Sequence, residues 1–67
     1  MEEIVNWVQT MQDEGHVYTE IRVIDPWRQA LIDAGHDSAM IGPARPGNED
    51  LIEYVTANGS YFAVLSH

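Results

Sequence analysis

The first half of the chain contains one ten-residue pattern twice, W-x-Q-x-(M/L)-x-D-x-G-H, at 7–16 and at 27–36. In each copy the Trp and the Met or Leu are four residues apart and therefore share one helical face. The Gly that follows can adopt the left-handed conformation that ends a helix. The pattern predicts two amphipathic helices, each ending at Gly-His. We interpret it as one good short helix used twice, because solenoids need three or more repeats; the alternative is a duplicated unit that brings His16 and His36 together.

The residues around the two copies place the neighbouring elements. Ile4 and Val8 extend the first apolar stripe, and Asp25-Pro26 is a typical start for the second helix, because Asp accepts from free amides and Pro needs no donor there. Residues 17–24 alternate with a period of two and are rich in β-branched side chains, which predicts a half-buried strand. We expect Val17, Thr19, Ile21 and Val23 to face the core and Tyr18, Glu20 and Arg22 to face water.

The second half of the chain is less regular. Two prolines and two glycines within 42–47 predict a loop, preceded by a short strand at most. Asn48-Glu49-Asp50 resembles a helix start, so we expect a helix at 48–58 and a strand at 60–66. That strand is apolar on both faces, which favours an interior position in the sheet. Asn58-Gly59 supports the alternative, a β-hairpin.

These elements predict an α+β fold with three short helices packed on one face of a small two- or three-stranded, mostly antiparallel sheet. The 67 residues (1–67) are expected to form a single compact domain with a small core. Two Trp, three Tyr and one Phe within 45% hydrophobic content argue against disorder. Cysteine is absent, so no disulfide or cysteine-based metal site can reinforce the fold.

The charge balance excludes one class of partner. Eleven acidic residues against three arginines, with no lysine, give a formal net charge of −8. Direct binding of nucleic-acid phosphates through a basic face is therefore not expected. No leader and no run of 18 apolar residues is present, so we expect a cytoplasmic protein without a membrane partner.

The residues that carry chemistry form no known motif. No Ser lies in a G-x-S-x-G elbow, Cys and Lys are absent, and so small a domain has little volume for a pocket. We expect no catalytic residues, no enzyme activity and no cofactor. His16, His36 and His67 lack the spacing of helical zinc motifs, so no metal site is predicted. A metal- or pH-responsive domain that uses His16 and His36 is the least favoured alternative.

The acidity itself gives the leading functional interpretation. A net charge of −8 creates a field that steers the molecule toward basic surfaces, which in cells belong largely to nucleic-acid-binding proteins. In size and charge the chain resembles the small acidic inhibitors encoded by bacteriophages, including anti-CRISPR proteins and DNA mimics. No motif is shared, so no residue role follows from the resemblance. It implies a non-catalytic inhibitor that occupies a basic, nucleic-acid-binding surface of a larger protein.

The expected partner-binding residues combine carboxylates with two side chains of the strand. Tyr18 and Arg22 are included because Tyr and Arg are enriched at interfaces. The full set is Glu2, Glu3, Asp13, Glu14, Tyr18, Glu20 and Arg22. Two other interpretations stay open: the acidity serves solubility or salt adaptation, or the chain is a structural subunit or homo-oligomer that closes through an exposed sheet face or edge.

Overall fold

The computed structural model describes residues 2–65, and for Glu2 the backbone alone. It confirms the α+β class but contains two α-helices and four strands. In chain order the elements are α1 (Glu2–Asp13), β1 (Tyr18–Arg22), α2 (Trp27–Asp33), a 3₁₀ turn (Ser38–Met40), β2 (Ile41–Gly42), β3 (Leu51–Thr56) and β4 (Gly59–Val64).

The four strands form one mixed sheet in the order β2-β1-β3-β4. The pair β1–β2 is parallel, with α2 in the connection, and the other two pairs are antiparallel. Both helices pack on the same face of the sheet, because their apolar stripes and the inward side chains of β1 and β3 form one core. The buried core residues are Ile4, Val8, Met11, Tyr18, Ile21, Val23, Trp27, Leu31, Ile41, Ile52, Tyr54 and Leu65. Within residues 2–65 no helix has the length and apolarity needed to cross a bilayer.

Both copies of the repeated pattern end their helix in the same way. In each copy the His N–H donates to the carbonyl oxygen five residues earlier, at 2.9 Å on Met11 and 3.1 Å on Leu31. The preceding Gly has a positive φ, +89° at Gly15 and +104° at Gly35. These bonds are those of a Schellman stop. The predicted ends of both helices are thus confirmed, whereas the predicted Asp25 cap is wrong: α2 begins after Pro26 without a side-chain cap.

A β-bulge in β1 reverses part of the predicted facing. Tyr18 pairs with Thr56 and Glu20 with Val55, so two steps along β1 match one step along β3. The extra residue, Thr19, is exposed. Since a bulge shifts the alternation by one residue, Tyr18 turns into the core. Val17, expected in the core, is 76% exposed.

The predicted helix at 48–58 is wrong; a hairpin is present, as in the alternative, but its turn lies one residue earlier than Asn58-Gly59. Ala57 and Asn58 form the turn between β3 and β4, and Gly59 has a φ of +134°. The Thr56 hydroxyl accepts from the N–H of Asn58 and donates to the carbonyl of Gly59, at 3.2 and 2.8 Å. The β-branched residues of β3 pack well in a strand that lies between two others, which outweighs the helix-start signal at 48–50.

The second expectation for this region, an interior position for the last strand, is also wrong. Among the described strands, β4 pairs with β3 alone and lies at the edge of the sheet. Phe62 and Val64 point to the face that the helices leave uncovered, where they are 52% and 72% exposed. The apolar character of β4 therefore has two sources: Phe62 and Val64 lie on an open surface, while Ala63 packs against the core. Ser66, the last residue of the predicted strand, lies outside the described residues.

Candidate functional site

Three tyrosines form an aromatic cluster at one end of the sheet, where β1 begins and the β3–β4 turn lies. We call this the hairpin end. Tyr54 is fully buried at its centre, with ring centroids 5.4 Å from Tyr18, 6.5 Å from Tyr61 and 5.7 Å from Trp7. The Tyr54 hydroxyl donates to the backbone carbonyl of His16. The cluster therefore joins α1, β1 and both strands of the hairpin.

The two copies of the repeat each deliver a histidine to this cluster. The His36 Nδ1 and the Tyr18 hydroxyl oxygen share a hydrogen bond at 2.8 Å. The His16 ring lies against Tyr61, with centroids 4.8 Å apart. Both histidines are half-buried and Tyr61 is partly exposed. The Gly-His stops thus do more than end two helices, because they bring imidazole rings to the protein surface at the hairpin end.

Four exposed carboxylates lie at or just beyond the C-terminal ends of α1 and α2, in the segments that contain the two histidines. Asp13 is the last residue of α1 and Glu14 follows it, while Asp33 is the last residue of α2 and Asp37 lies four residues beyond it. Because both histidines reach the tyrosine cluster, the C-terminal ends of both helices point toward the hairpin end. Neither helix has a basic residue in its last turn. A carboxylate at this end meets the negative pole of the helix dipole, so the arrangement is unfavourable for the helices themselves.

The arginines are all placed away from the hairpin end. Arg22 contacts Glu20 at 3.0 Å, and Arg45 contacts Glu53 at 2.9 Å, both on the open face of the sheet. Arg28, in the first turn of α2, donates from Nε to the carbonyl of Ile41 at 2.9 Å. Among the described residues, the carboxylates at the hairpin end therefore have no cationic partner. The four carboxylates there thus carry their charge without an arginine beside them, whereas Glu20 and Glu53 are each paired with one.

No family model, curated protein or solved structure matches this chain.

The structure separates the residues expected to bind a partner. Asp13 and Glu14 lie at the hairpin end. Tyr18 lies at the same end, but its ring is buried in the core. Glu20 and Arg22 form an ion pair on the open sheet face, and Glu3 is exposed near the opposite end, at the start of α1. The side chain of Glu2 lies outside the described part of the structure.

Sequence reasoning missed Asp33, Asp37 and Tyr61 as members of this site. The signal for Asp33 was present, since it occupies the same place in the second copy of the repeat that Asp13 occupies in the first. In both copies the Asp accepts from the Gln four residues earlier, at 3.0 Å from Gln9 and 2.9 Å from Gln29. Tyr61 was not predicted as a site residue because its strand was expected inside the sheet.

In the described part of the chain, neither a metal cluster nor the cleft at the other end of the sheet offers a second candidate site. Within residues 2–65 no three His, Asp or Glu side chains converge to hold a metal ion. His67 lies outside that range. A shallow cleft of about 430 Å³ lies at the opposite end of the sheet, beside the ends of β1 and β2. It is mostly apolar, with Asp25 and Arg28 as its charged groups, and includes no Ser, Cys, His or Lys. The cleft gives no basis for a catalytic proposal.

The buried tyrosines predict a loss of stability at alkaline pH. Burial raises the pKa of Tyr18, and the nearby Asp37 carboxylate raises it further. Burial also raises the pKa of Tyr54, with a smaller contribution from Tyr18. The folded state therefore retains protons that the unfolded state releases near pH 10, so this stability is present below about pH 10 and falls as pH rises above it.

The measurement is the urea midpoint at about pH 8 and about pH 11, compared between the wild type and Tyr18→Phe. The variant should lose less stability between the two pH values, because it removes one group whose ionisation opposes folding. An equal loss in both proteins would contradict the assignment.

Proposed function

We propose that this chain is a non-catalytic binding protein that docks its hairpin end on a basic surface of a larger protein and inhibits that protein by occupying the surface. The observation that carries the proposal is the set of four exposed carboxylates at the C-terminal ends of two helices, with every arginine placed elsewhere.

Asp13, Asp33 and Asp37 each accept a local hydrogen bond, but an amide oxygen could accept the same bonds, so fold stability does not require their charge. A carboxylate near a helix C-terminus is unfavourable by ~0.3–1 kcal/mol, while the same group in the first turn is favourable. Solubility alone is served by acidic residues at any exposed position. A cluster held where it opposes folding is better explained by a requirement of binding.

The aromatic cluster would add specificity to the charge. The partly exposed Tyr61 ring beside His16 offers an aromatic surface near the carboxylates of Asp13 and Glu14. Arginine binds such a combination well, because its planar guanidinium stacks on rings and bonds carboxylates at the same time. We therefore propose arginine-rich surfaces as the partner chemistry, in agreement with the nucleic-acid-binding class expected from the charge.

The experiment compares two variants that carry the same net charge. The first replaces the four hairpin-end acids by their amides, Asp13→Asn, Glu14→Gln, Asp33→Asn and Asp37→Asn. The second replaces four exposed acids nearer the opposite end, Glu3→Gln, Asp25→Asn, Glu49→Gln and Asp50→Asn. Each removes four charges, which changes the net charge from −8 to −4. The amides keep the oxygen acceptors that Gln9, Gln29 and the Ala39 N–H use.

The probe is a fluorescent nona-arginine peptide, titrated by anisotropy at several salt concentrations. At ~0.35 kcal/mol for each exposed ion pair, four pairs correspond to a tenfold difference. The hairpin-end variant should therefore bind about tenfold more weakly than the opposite-end variant and with a smaller salt slope. Equal affinities for the two variants would show that net charge alone governs binding, which would overturn the proposed site.

The same two variants also test stability. The hairpin-end changes that should weaken binding are expected to stabilise the fold. The hairpin-end variant should be more stable than the wild type, by ~0.3–1 kcal/mol for each helix, because it removes charge from the unfavourable end of both dipoles. Urea unfolding at low ionic strength measures this, with the opposite-end variant as the control. A destabilised hairpin-end variant would contradict the argument from the helix dipole.

A further inference from the structure

The pairing of β4 with β3 determines which backbone groups of β4 lie on its free edge. The Leu65 N–H donates to the Asp50 carbonyl at 2.9 Å, in register with the pairs from Thr56–Gly59 to Leu51–Val64. In an antiparallel ladder, hydrogen-bonded and non-hydrogen-bonded pairs alternate. The backbone N–H and C=O groups of Ser60, Phe62 and Val64 therefore point away from β3, toward the free side of the sheet.

This edge lacks the features that normally prevent strands from pairing. Natural edges are protected by charged residues, prolines, bulges, short length or a covering element. β4 has six residues in regular register with β3, no bulge, and no charged residue or proline. The opposite edge, β2, has two residues and is followed by Pro43. One edge of the same sheet is thus protected and the other is open.

The side chains next to the open edge are also available for contact. Phe62 is 52% and Val64 is 72% exposed, on the face opposite the helices. Leu51 and Val55 of β3 lie on the same face and are half-buried. A strand added beside β4 would cover the exposed part of Phe62 and Val64 while it satisfied the free backbone groups.

We infer that the occupant is a second copy of this chain, paired antiparallel along β4 about a two-fold axis centred on Phe62. Electrostatic repulsion limits where two copies can meet. Two molecules of net charge −8 repel each other at most orientations, but no residue from 54 to 64 is charged. In the two-fold arrangement Phe62 faces Phe62 of the second copy, and Ser60 faces Val64. The uncharged edge is therefore where two such acidic molecules can meet with the least repulsion, and it places no carboxylate opposite another.

The dimer should be weak and should strengthen with salt. A six-residue edge buries less than the ~1,200 Å² of total surface that stable interfaces usually bury. Salt screens the repulsion between the two copies, so added salt should increase the dimer fraction. Binding of a basic partner has the opposite salt dependence. Failure of one proposal is therefore distinguishable from failure of the other.

The experiment is sedimentation velocity over a hundredfold range of concentration, at low and high salt, with two matched variants. Val64→Lys places a charge on the open edge, and Val17→Lys places the same charge on an equally exposed valine outside it, since the two side chains are 72% and 76% exposed. Val64→Lys should abolish the concentration-dependent increase in sedimentation, while Val17→Lys should retain it.

A second measurement identifies the edge itself. Ser60→Pro removes an N–H that points to the free side and leaves the hydrogen bonds between β3 and β4 intact, so it should also yield a monomer. Amide exchange should show protection at Ser60, Phe62 and Val64 that grows with protein concentration. A monomer at every concentration, equal effects of the two lysine variants, or a dimer without this protection would each overturn the inference.

Discussion

Tyr54→Ala should remove a large part of the protein's free energy of unfolding. Removal of a buried aromatic side chain costs about 3–5 kcal/mol. A domain of 67 residues has a total stability of about 3–10 kcal/mol at ~0.05–0.15 kcal/mol per residue. Tyr54 is fully buried and contacts Trp7, Tyr18 and Tyr61, so its loss leaves a cavity at the junction of four elements. Far-UV circular dichroism and urea unfolding measure the loss.

Tyr54→Phe separates the hydroxyl from the ring. It keeps the packing but leaves the His16 carbonyl without its donor, which should cost about 1–3 kcal/mol. Tyr61→Phe is the matched control, because the Tyr61 ring lies in the same cluster and is 39% exposed. A loss from Tyr54→Phe no larger than that from Tyr61→Phe would show that the hydroxyl bond does not stabilise the α1–hairpin contact.

The second large effect concerns the ion pair on the open sheet face, where the two partners should respond unequally. The Glu53 side chain is 9% exposed and that of Arg45 is 55% exposed. Arg45→Ala leaves a nearly buried carboxylate without its hydrogen bond, which should cost about 1–3 kcal/mol. Glu53→Gln leaves the Arg45 guanidinium largely in water, so it should cost less than about 1 kcal/mol.

The double variant completes the test. If the loss in Arg45→Ala comes from the stranded Glu53 charge, Arg45→Ala combined with Glu53→Gln should recover most of it, so the two changes will be strongly non-additive. Urea midpoints of the four proteins give the coupling directly. Additive losses, or a larger loss from Glu53→Gln than from Arg45→Ala, would contradict the interpretation.

The helices and their stops could be predicted because their signals are local. In both copies of the repeat, the Gln–Asp bond and the bond from the His N–H that ends the helix span five residues at most. Such contacts follow from helical geometry alone.

The sheet could be predicted only in outline because its geometry depends on distant partners. The bulge at Thr19 arises from the pairing of β1 with a strand more than 30 residues later. The hairpin competed with a helix of nearly equal local quality at 48–58, and the position of β3 between β1 and β4 decided the outcome. Strand preferences are set largely by such neighbours.

The residues of the candidate site show the same difference between local signals and distant partners. Asp13 and Glu14 were expected from their charge and exposure, and both lie at the hairpin end. Tyr18 was expected on the surface because strict alternation predicts it, and the bulge moved it into the core. Asp37 joins the site through the proximity of Tyr18 and His36, which no spacing rule contains.

The parallel arrangement of α1 and α2 has a consequence for the way the molecule approaches other proteins. Both helix C-termini and the unpaired carboxylates lie at the hairpin end, whereas the arginines are placed away from it. The two helix dipoles therefore add, and both place their negative pole at the hairpin end. In the field of a positively charged surface, such a molecule experiences a torque that turns its hairpin end forward before any contact forms. More encounters would then begin with the hairpin end facing the partner. Ionic strength would therefore change mainly the association rate.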